Sequence, residues 1–213
     1  MFDDSPGPEW IDRLGQEYEI MNLYFKPFAC CRWAQPAIAG ALQIARQNSL
    51  SAGDVRAIRV RTFEAATKLS RAHPRDTEEA QYCLPYPVAA TLVDGELGPR
   101  QILPPRIFDT GLLALADRVE TVIDPHIERE FPAKACAEVQ VETCAGQSFT
   151  SGVVEAPWQP PAAPPTDADL EAKFRWLVDA VLGEVRARAI MHEVQRLETV
   201  DDVRPLMRLC IVP

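Results

Sequence analysis

The sequence predicts an α+β fold: a small sheet with flanking helices, followed by a C-terminal helical segment. Three observations predict it. Ile38, Ala41, Leu42 and Ala45 recur at helical spacing behind Pro36. Ile58, Val60 and Thr62 alternate with Arg59, Arg61 and Phe63, and Val139 and Val141 alternate with Glu138, Gln140 and Glu142, which is the period of half-buried strands. A proline-rich stretch, Pro157 to Pro165, then precedes a second helical run through Leu170, Phe174, Leu177, Val178 and Val181.

In chain order, residues 1–23 form a lead-in. Its first nine residues, with Pro6, Gly7 and Pro8, are expected to be flexible, and Trp10 to Leu23 has room for a short helix. An α+β domain over 24–156 follows. Lys26 precedes a proline and is biased toward extended backbone, whereas Pro36 suits a first helical turn. Residues 24–35 therefore read as a loop delivering side chains to the start of a helix that runs to about Asn48. Ser51-Ala52-Gly53-Asp54 breaks that helix ahead of the strand at 58–63.

Asp76 or Thr77 is placed to cap a helix carrying Glu78 and Glu79 at its positive end. Pro85 and Pro87 each delete a backbone donor and interrupt it beside Tyr82, Cys83 and Tyr86, and Asp94-Gly95 ends it. Pro99 to Pro105 reads as a loop. Asp109 reads as the cap of a helix through Leu112, Leu113, Leu115, Ala116 and Val119, and Pro125 to Phe131 as one short turn. The strands at 138–142 and 149–154 form a hairpin about Ala145-Gly146. Residues 157–165 are expected to be an extended linker. Thr166 and Asp169 then make an acidic capping box that opens the C-terminal helices of 166–213, with Gly183 as a stop and further pieces at 184–197 and 201–210.

At 213 residues the chain is long enough to bury a core, and 47% hydrophobic with 25% charged residues is an ordinary globular composition. The formal net charge of −9 opposes long-range attraction to nucleic acid or anionic membranes. Arg56, Arg59, Arg61, Lys68, Arg71 and Arg75 make a local basic run, but Asp54, Glu64 and Asp76 among them favour a solvated strand face over a nucleic-acid surface. No apolar run approaches the ~20 residues of a membrane span, and the start lacks a signal-type apolar stretch, so a cytoplasmic protein is expected. The cysteines at 30, 31, 83, 136, 144 and 210 lack the spacing of a disulfide framework or a zinc site and are expected to be reduced. His73, His126 and His192 are spaced for neither a metal site nor a catalytic pair. No metal and no cofactor are expected.

Chemistry-bearing residues are densest in Tyr24-Phe25-Lys26-Pro27-Phe28-Ala29-Cys30-Cys31-Arg32-Trp33-Ala34-Gln35-Pro36. A loop that brings Lys26 and Arg32 to a helix N-terminus suits a carboxylate or another small anion. A thiol in that setting, such as Cys31, either has a lowered pKa or is a buried inert cysteine, and the two readings stand about equal.

The stretch resembles the Lys-Pro-Tyr-Pro-Cys-Cys-Arg-Trp-x-His-Pro signature of the MmgE/PrpD family, which includes 2-methylcitrate dehydratase, cis-aconitate decarboxylase and iminodisuccinate epimerase. Glu79-Ala80-Gln81-Tyr82-Cys83-Leu84-Pro85-Tyr86 with Leu92-Val93-Asp94-Gly95, and Asp169-Leu170-Glu171-Ala172-Lys173-Phe174-Arg175, are similar to two later runs of the same family. The resemblance covers the family's second half. It implies a lid-type domain, and it implies a small carboxylate-bearing substrate from which a proton is removed beside the carboxylate. On that resemblance Lys26 and Cys31 are the catalytic candidates, and Cys30, Arg32, Gln35 and Tyr86 the substrate-binding ones. Cys31 falls where decarboxylase members carry a histidine. Gln35 departs from the signature, which has histidine there, and glutamine cannot shuttle protons.

The expected function is thus the lid subunit of a split lyase or isomerase, completed by a separately encoded helical chain, because the family's helical half is not in this sequence. The alternative is a non-catalytic binding or scaffold module that self-associates through its C-terminal helices. A small enzyme using Cys31 as nucleophile is weaker, having no histidine nearby in sequence.

Overall fold

A computed structural model describes residues 11–18, 20, 23–159 and 163–211. The lead-in expected at 1–9 and residues 160–162 of the expected linker lie outside the described residues. One four-stranded sheet, in the order β2-β1-β3-β4, organises the domain. β1 (Val55–Thr62) pairs parallel with β2 (Val119–Ile123) and antiparallel with β3 (Cys136–Thr143), which continues into β4 (Ser148–Glu155) as a hairpin. The fold is α+β: this mixed sheet is flanked by helices and followed by a C-terminal helical segment.

The alternation of β1 sorts its side chains. Val55, Ile58, Val60 and Thr62 are buried, whereas Arg56, Arg59 and Arg61 face solvent. Each of these arginines meets a glutamate across the sheet: Arg59 with Glu120 of β2 at 2.9 Å, Arg61 with Glu138 of β3 at 3.3 Å, and Arg56 with Glu142. The basic run is a solvated, cross-paired strand face, and such exposed pairs contribute little stability individually.

The other face is covered by helices. α1 (Gln35–Gln47) packs on β3, β4 and the helix at Pro85–Asp94. Gly40 makes the approach possible, since a Cβ there would lie 2.9 Å from Ser151 Oγ and 3.1 Å from Val139 Cγ2. After α2 (Glu64–Thr67), α3 (Thr77–Gln81) begins at Asp76, whose carboxylate accepts from Glu79 N–H at 2.8 Å, and ends before the prolines. α4 (Pro85–Asp94) starts afresh with Pro85 in its first turn and is buried along most of its length. The chain then makes one helical turn, α5 (Pro99–Ile102), inside the stretch read as loop, and enters α6 (Thr110–Ala116) with Asp109 capping Leu112 N–H at 2.9 Å.

Val119 does not continue that helix; it opens β2. Four of the five residues of the Val-Glu-Thr-Val-Ile run are β-branched, and its parallel pairing with β1 depends on a long crossover, so no local turn marks it. α7 (Pro125–Glu130), capped by Asp124, leads to β3.

Phe63 at the end of β1 stacks on Phe131 with ring centroids 4.2 Å apart. Burial of Ile38, Ile44, Ile58, Leu84, Leu97, Ile107, Leu112 and Leu115 forms the core, at about 1.5–3 kcal/mol each.

α8 (Asp167–Leu182) starts at the Thr166–Asp169 capping box and stops at Gly183, followed by α9 (Glu184–Gln195) and α10 (Arg204–Cys210). No residue of α8 is fully buried, and Val181, Val185, Val194, Leu197, Met207 and Ile211 in and around these helices are exposed. Among the described residues, no helix is long and apolar enough to cross a membrane.

Candidate functional site

The loop before α1 is wrapped around one amide. Gln35 is 1% exposed. Its Oε1 accepts from Phe28 N–H at 3.3 Å, and its Nε2 lies 3.1 Å from the carbonyls of Phe28 and Cys30 and from Cys30 Sγ. An amide offers two N–H groups and one carbonyl, and here they are spent on the loop itself. Gln35 was expected to bind substrate; in this conformation it holds the loop's shape and has no donor to spare. Cys30 is also buried, and burial, with the neighbouring Cys31 thiol second, pushes its pKa far above that of an ordinary thiol. Cys30, expected to bind substrate, is packed into the core in this conformation.

With Cys30 turned in, Cys31 and Arg32 stand further out, both partly exposed, and Lys26 is exposed. Cys31 N–H donates to the Gln81 carbonyl at 2.7 Å, which ties this loop to the end of α3. The charge of Lys26 acts on the Cys30 thiol, partly opposing the rise that burial causes. The Arg32 guanidinium lies over the Tyr24 ring, 4.7 Å from its centroid. Burial raises the Tyr24 pKa and Arg32 partly offsets it. Arg32 Nε is shielded from solvent and has no hydrogen-bond acceptor among the described residues. Tyr82, 59% exposed, adjoins the loop and also lines a polar groove of about 580 Å³ with Lys68, Ser70, Arg71 and Glu79. Hydrogen bonds from Arg75 hold the Glu79 carboxyl down at about 2.

Tyr86, the other expected substrate contact, is fully buried. Its hydroxyl donates to the Gln101 carbonyl at 2.6 Å, and desolvation pushes its pKa well above a free tyrosine's. Gln101 in turn accepts from Gly98 N–H at 3.0 Å and donates to Asp94 and Glu96 at 3.2 Å each. The bend so fixed touches the loop at Leu97, whose carbonyl accepts from Ala29 N–H at 3.1 Å. Tyr86 is thus linked to the loop through the bend at 97–101.

Two residues absent from the sequence-based set join the loop: Lys173 of α8, whose Nζ donates to the Lys26 carbonyl, and Trp158, whose ring centroid is 5.9 Å from Lys173 Nζ. The signal for Lys173 was its place in the Asp169–Arg175 stretch; Trp158 carried none beyond its proline-rich surroundings. His73 pairs instead with Asp117, and His126 with Arg129. Among the described residues no cluster of His, Cys, Asp and Glu is placed to hold a metal ion.

The arrangement can hold an anion: Lys26, Arg32 and Lys173 have no carboxylate within 4.0 Å among the described residues, on a chain of net charge −9. Comparison with family models finds a match to the MmgE/PrpD C-terminal domain over residues 28–199. No curated protein matches the chain.

Proposed function

The chain belongs to the MmgE/PrpD family through that family's C-terminal domain, and from this premise we propose that it is the lid part of a lyase or isomerase that removes a proton beside a carboxylate of a small organic acid. In this reading Lys26 and Arg32 hold a substrate carboxylate, Cys31 faces the reacting centre, and a separate helical chain supplies the proton-moving groups. Gln35, an amide already committed to the loop, takes no part in proton transfer.

The observation that carries the reading is Arg32 Nε, a desolvated donor with no acceptor among the described residues, on the same loop as Lys26, which has no carboxylate within 4.0 Å among them. An unsatisfied buried donor costs about 1–3 kcal/mol, and a ligand carboxylate removes that cost. The helical partner is supported by the exposed apolar residues of α8 to α10 and by an apolar groove of about 450 Å³ lined by Leu170, Phe174, Ile190, Met191 and Val194.

The test is purification of the tagged chain from its native cells, followed by proton NMR in D2O with citrate, cis-aconitate and related acids. The expected result is a complex with a helical partner that exchanges or eliminates protons beside a carboxylate, and loses that activity in Lys26→Ala and Cys31→Ala. A lone monomer that exchanges nothing overturns it.

One observation favours the second reading, a non-catalytic module that self-associates through its helices: position 35 offers no titratable group. In that case Lys26→Ala and Cys31→Ala leave its association unchanged.

A further inference from the structure

Among the described residues, the hydrophobic core of the α+β domain has no member from 167–211. Two side chains of α8 hydrogen-bond to that domain instead. The Trp176 ring fills the notch at Gly98, where a Cβ would lie 2.2 Å from the ring, and its Nε1 donates to Glu96 at 3.1 Å. Trp176 is still 40% exposed, and a cleft of about 340 Å³ lined by Pro99, Leu103, Leu177 and Val181 runs along the same seam. Close-packed interiors carry no such gap, so α8 is seated on the domain and not built into it. Lys173, three residues back along the same helical face, donates through Nζ to the backbone carbonyl of Lys26.

Both contacts bear on one stretch of the loop. The seat at 96–98 is bonded to it directly, because the Leu97 carbonyl accepts from Ala29 N–H at 3.1 Å. Residues 26–29 are therefore held at one end by α8 and at the other by the bend on which α8 is seated. The chain leading into α8 is strained: Trp158, whose ring centroid lies 5.9 Å from Lys173 Nζ, holds φ at 60°, the one non-glycine residue with positive φ among the described residues. Such a conformation lasts only while its surroundings enforce it. Undocking of α8 relaxes it, which brings the docked and undocked states closer in energy.

We propose that α8 is a latch on the loop. Trp176 and Lys173 are its positioning residues: the first seats the helix at Gly98, and the second, placed by that seat, fixes the Lys26 peptide, so that release of Trp176 loosens residues 26–31. The proposal goes beyond the reading of the loop as a carboxylate site and holds whatever the loop binds. Because α8 to α10 also carry exposed apolar residues, a chain that docks on those helices and shifts α8 shifts the loop with it.

The experiment follows backbone hydrogen exchange, by NMR and mass spectrometry, in the full chain as wild type, Gly98→Ala, Trp176→Leu, Lys173→Met and Lys173→Arg. The amides of β1 and β3 are the internal control. Gly98 has φ of −125°, an extended backbone that alanine adopts freely, so Gly98→Ala tests the notch alone. Gly98→Ala is expected to speed exchange over α8 and at Ala29 and Cys31 about tenfold or more, and Lys173→Met to do the same at Ala29 and Cys31, the size of one lost hydrogen bond from a charged donor. Lys173→Arg, which keeps a charged donor, stays near wild type, and β1 and β3 are unchanged throughout. Trp176→Leu, which empties the seat without a clash, gives the same result as Gly98→Ala should that variant fail to fold. If the seat variants free α8 while Ala29 and Cys31 exchange as in wild type, or if Lys173→Met leaves both amides unchanged, the latch falls and the carboxylate reading of the loop stands. Protection of α8 that survives loss of the seat, or faster exchange in β1 and β3 along with the loop, overturns the latch as well.

Discussion

The backbone N–H of Cys31 donates to the carbonyl of Gln81 at 2.7 Å, and this one bond joins the two stretches that carry the chain's most specific sequence patterns. The loop of 24–36 and the helix end at 79–86 are thus one structural unit. Gln35 braces it from the inside and Tyr86 from below.

Replacing Gln35 by alanine removes the partner of Phe28 N–H and of the Phe28 and Cys30 carbonyls. Each group left unpaired in the interior costs about 1–3 kcal/mol. Urea unfolding of Gln35→Ala is expected to show a loss in at least that range, and a change under 0.5 kcal/mol, roughly the surface-substitution norm, contradicts the bracing role.

Tyr86→Phe separates scaffold from contact. It leaves the Gln101 carbonyl without its donor and is expected to cost about 0.5–1.5 kcal/mol in the same unfolding experiment. Because Tyr86 is buried, its citrate affinity is expected to equal that of the wild type. A large loss of affinity at unchanged stability would restore Tyr86 as a ligand contact.

These effects show which parts of the molecule the sequence discloses. Helix caps are local, so Asp76, Asp109 and Thr166 are readable from a few neighbours, and each caps as expected. The hairpin and β1 follow from alternation. β2 was invisible because its parallel partner lies across a long crossover, and Val119 fits a helical face as well as a strand. The loop's cations were legible as a group, but the inward turn of Cys30 and Gln35 was not, since a side chain's direction at a helix start depends on tertiary packing. The pairing of Lys26 with Lys173 spans 147 residues and leaves no local trace.

Thiol reactivity should sort by burial. Desolvation pushes Cys83 up to about 12 and Cys30 higher still, so neither supplies thiolate near neutral pH, whereas Cys144 and Cys210 are exposed. Mass spectrometry after brief iodoacetamide treatment of the native protein is expected to find Cys144 and Cys210 labelled and Cys30 and Cys83 intact. Early labelling of Cys30 would mean that the loop opens.

Glu79 gives a pH signature. Its carboxyl sits at about 2 against an ordinary 4.5, because Arg75 hydrogen-bonds the ionised form. The native-state preference for a proton-free Glu79 is complete above 4.5 and is lost as pH falls toward 2. A carboxyl-carbon NMR titration is expected to place Glu79 among the lowest midpoints, and Arg75→Ala to raise it; an unshifted Glu79 contradicts the pairing.

The most direct measurement is a crystal structure of the chain grown with citrate. A citrate carboxylate oxygen about 2.7–2.9 Å from Lys26 Nζ, on the outer side of the loop that Gln35 braces, is the predicted result. Citrate bound elsewhere, with Lys26 paired to a carboxylate of the protein, would contradict it.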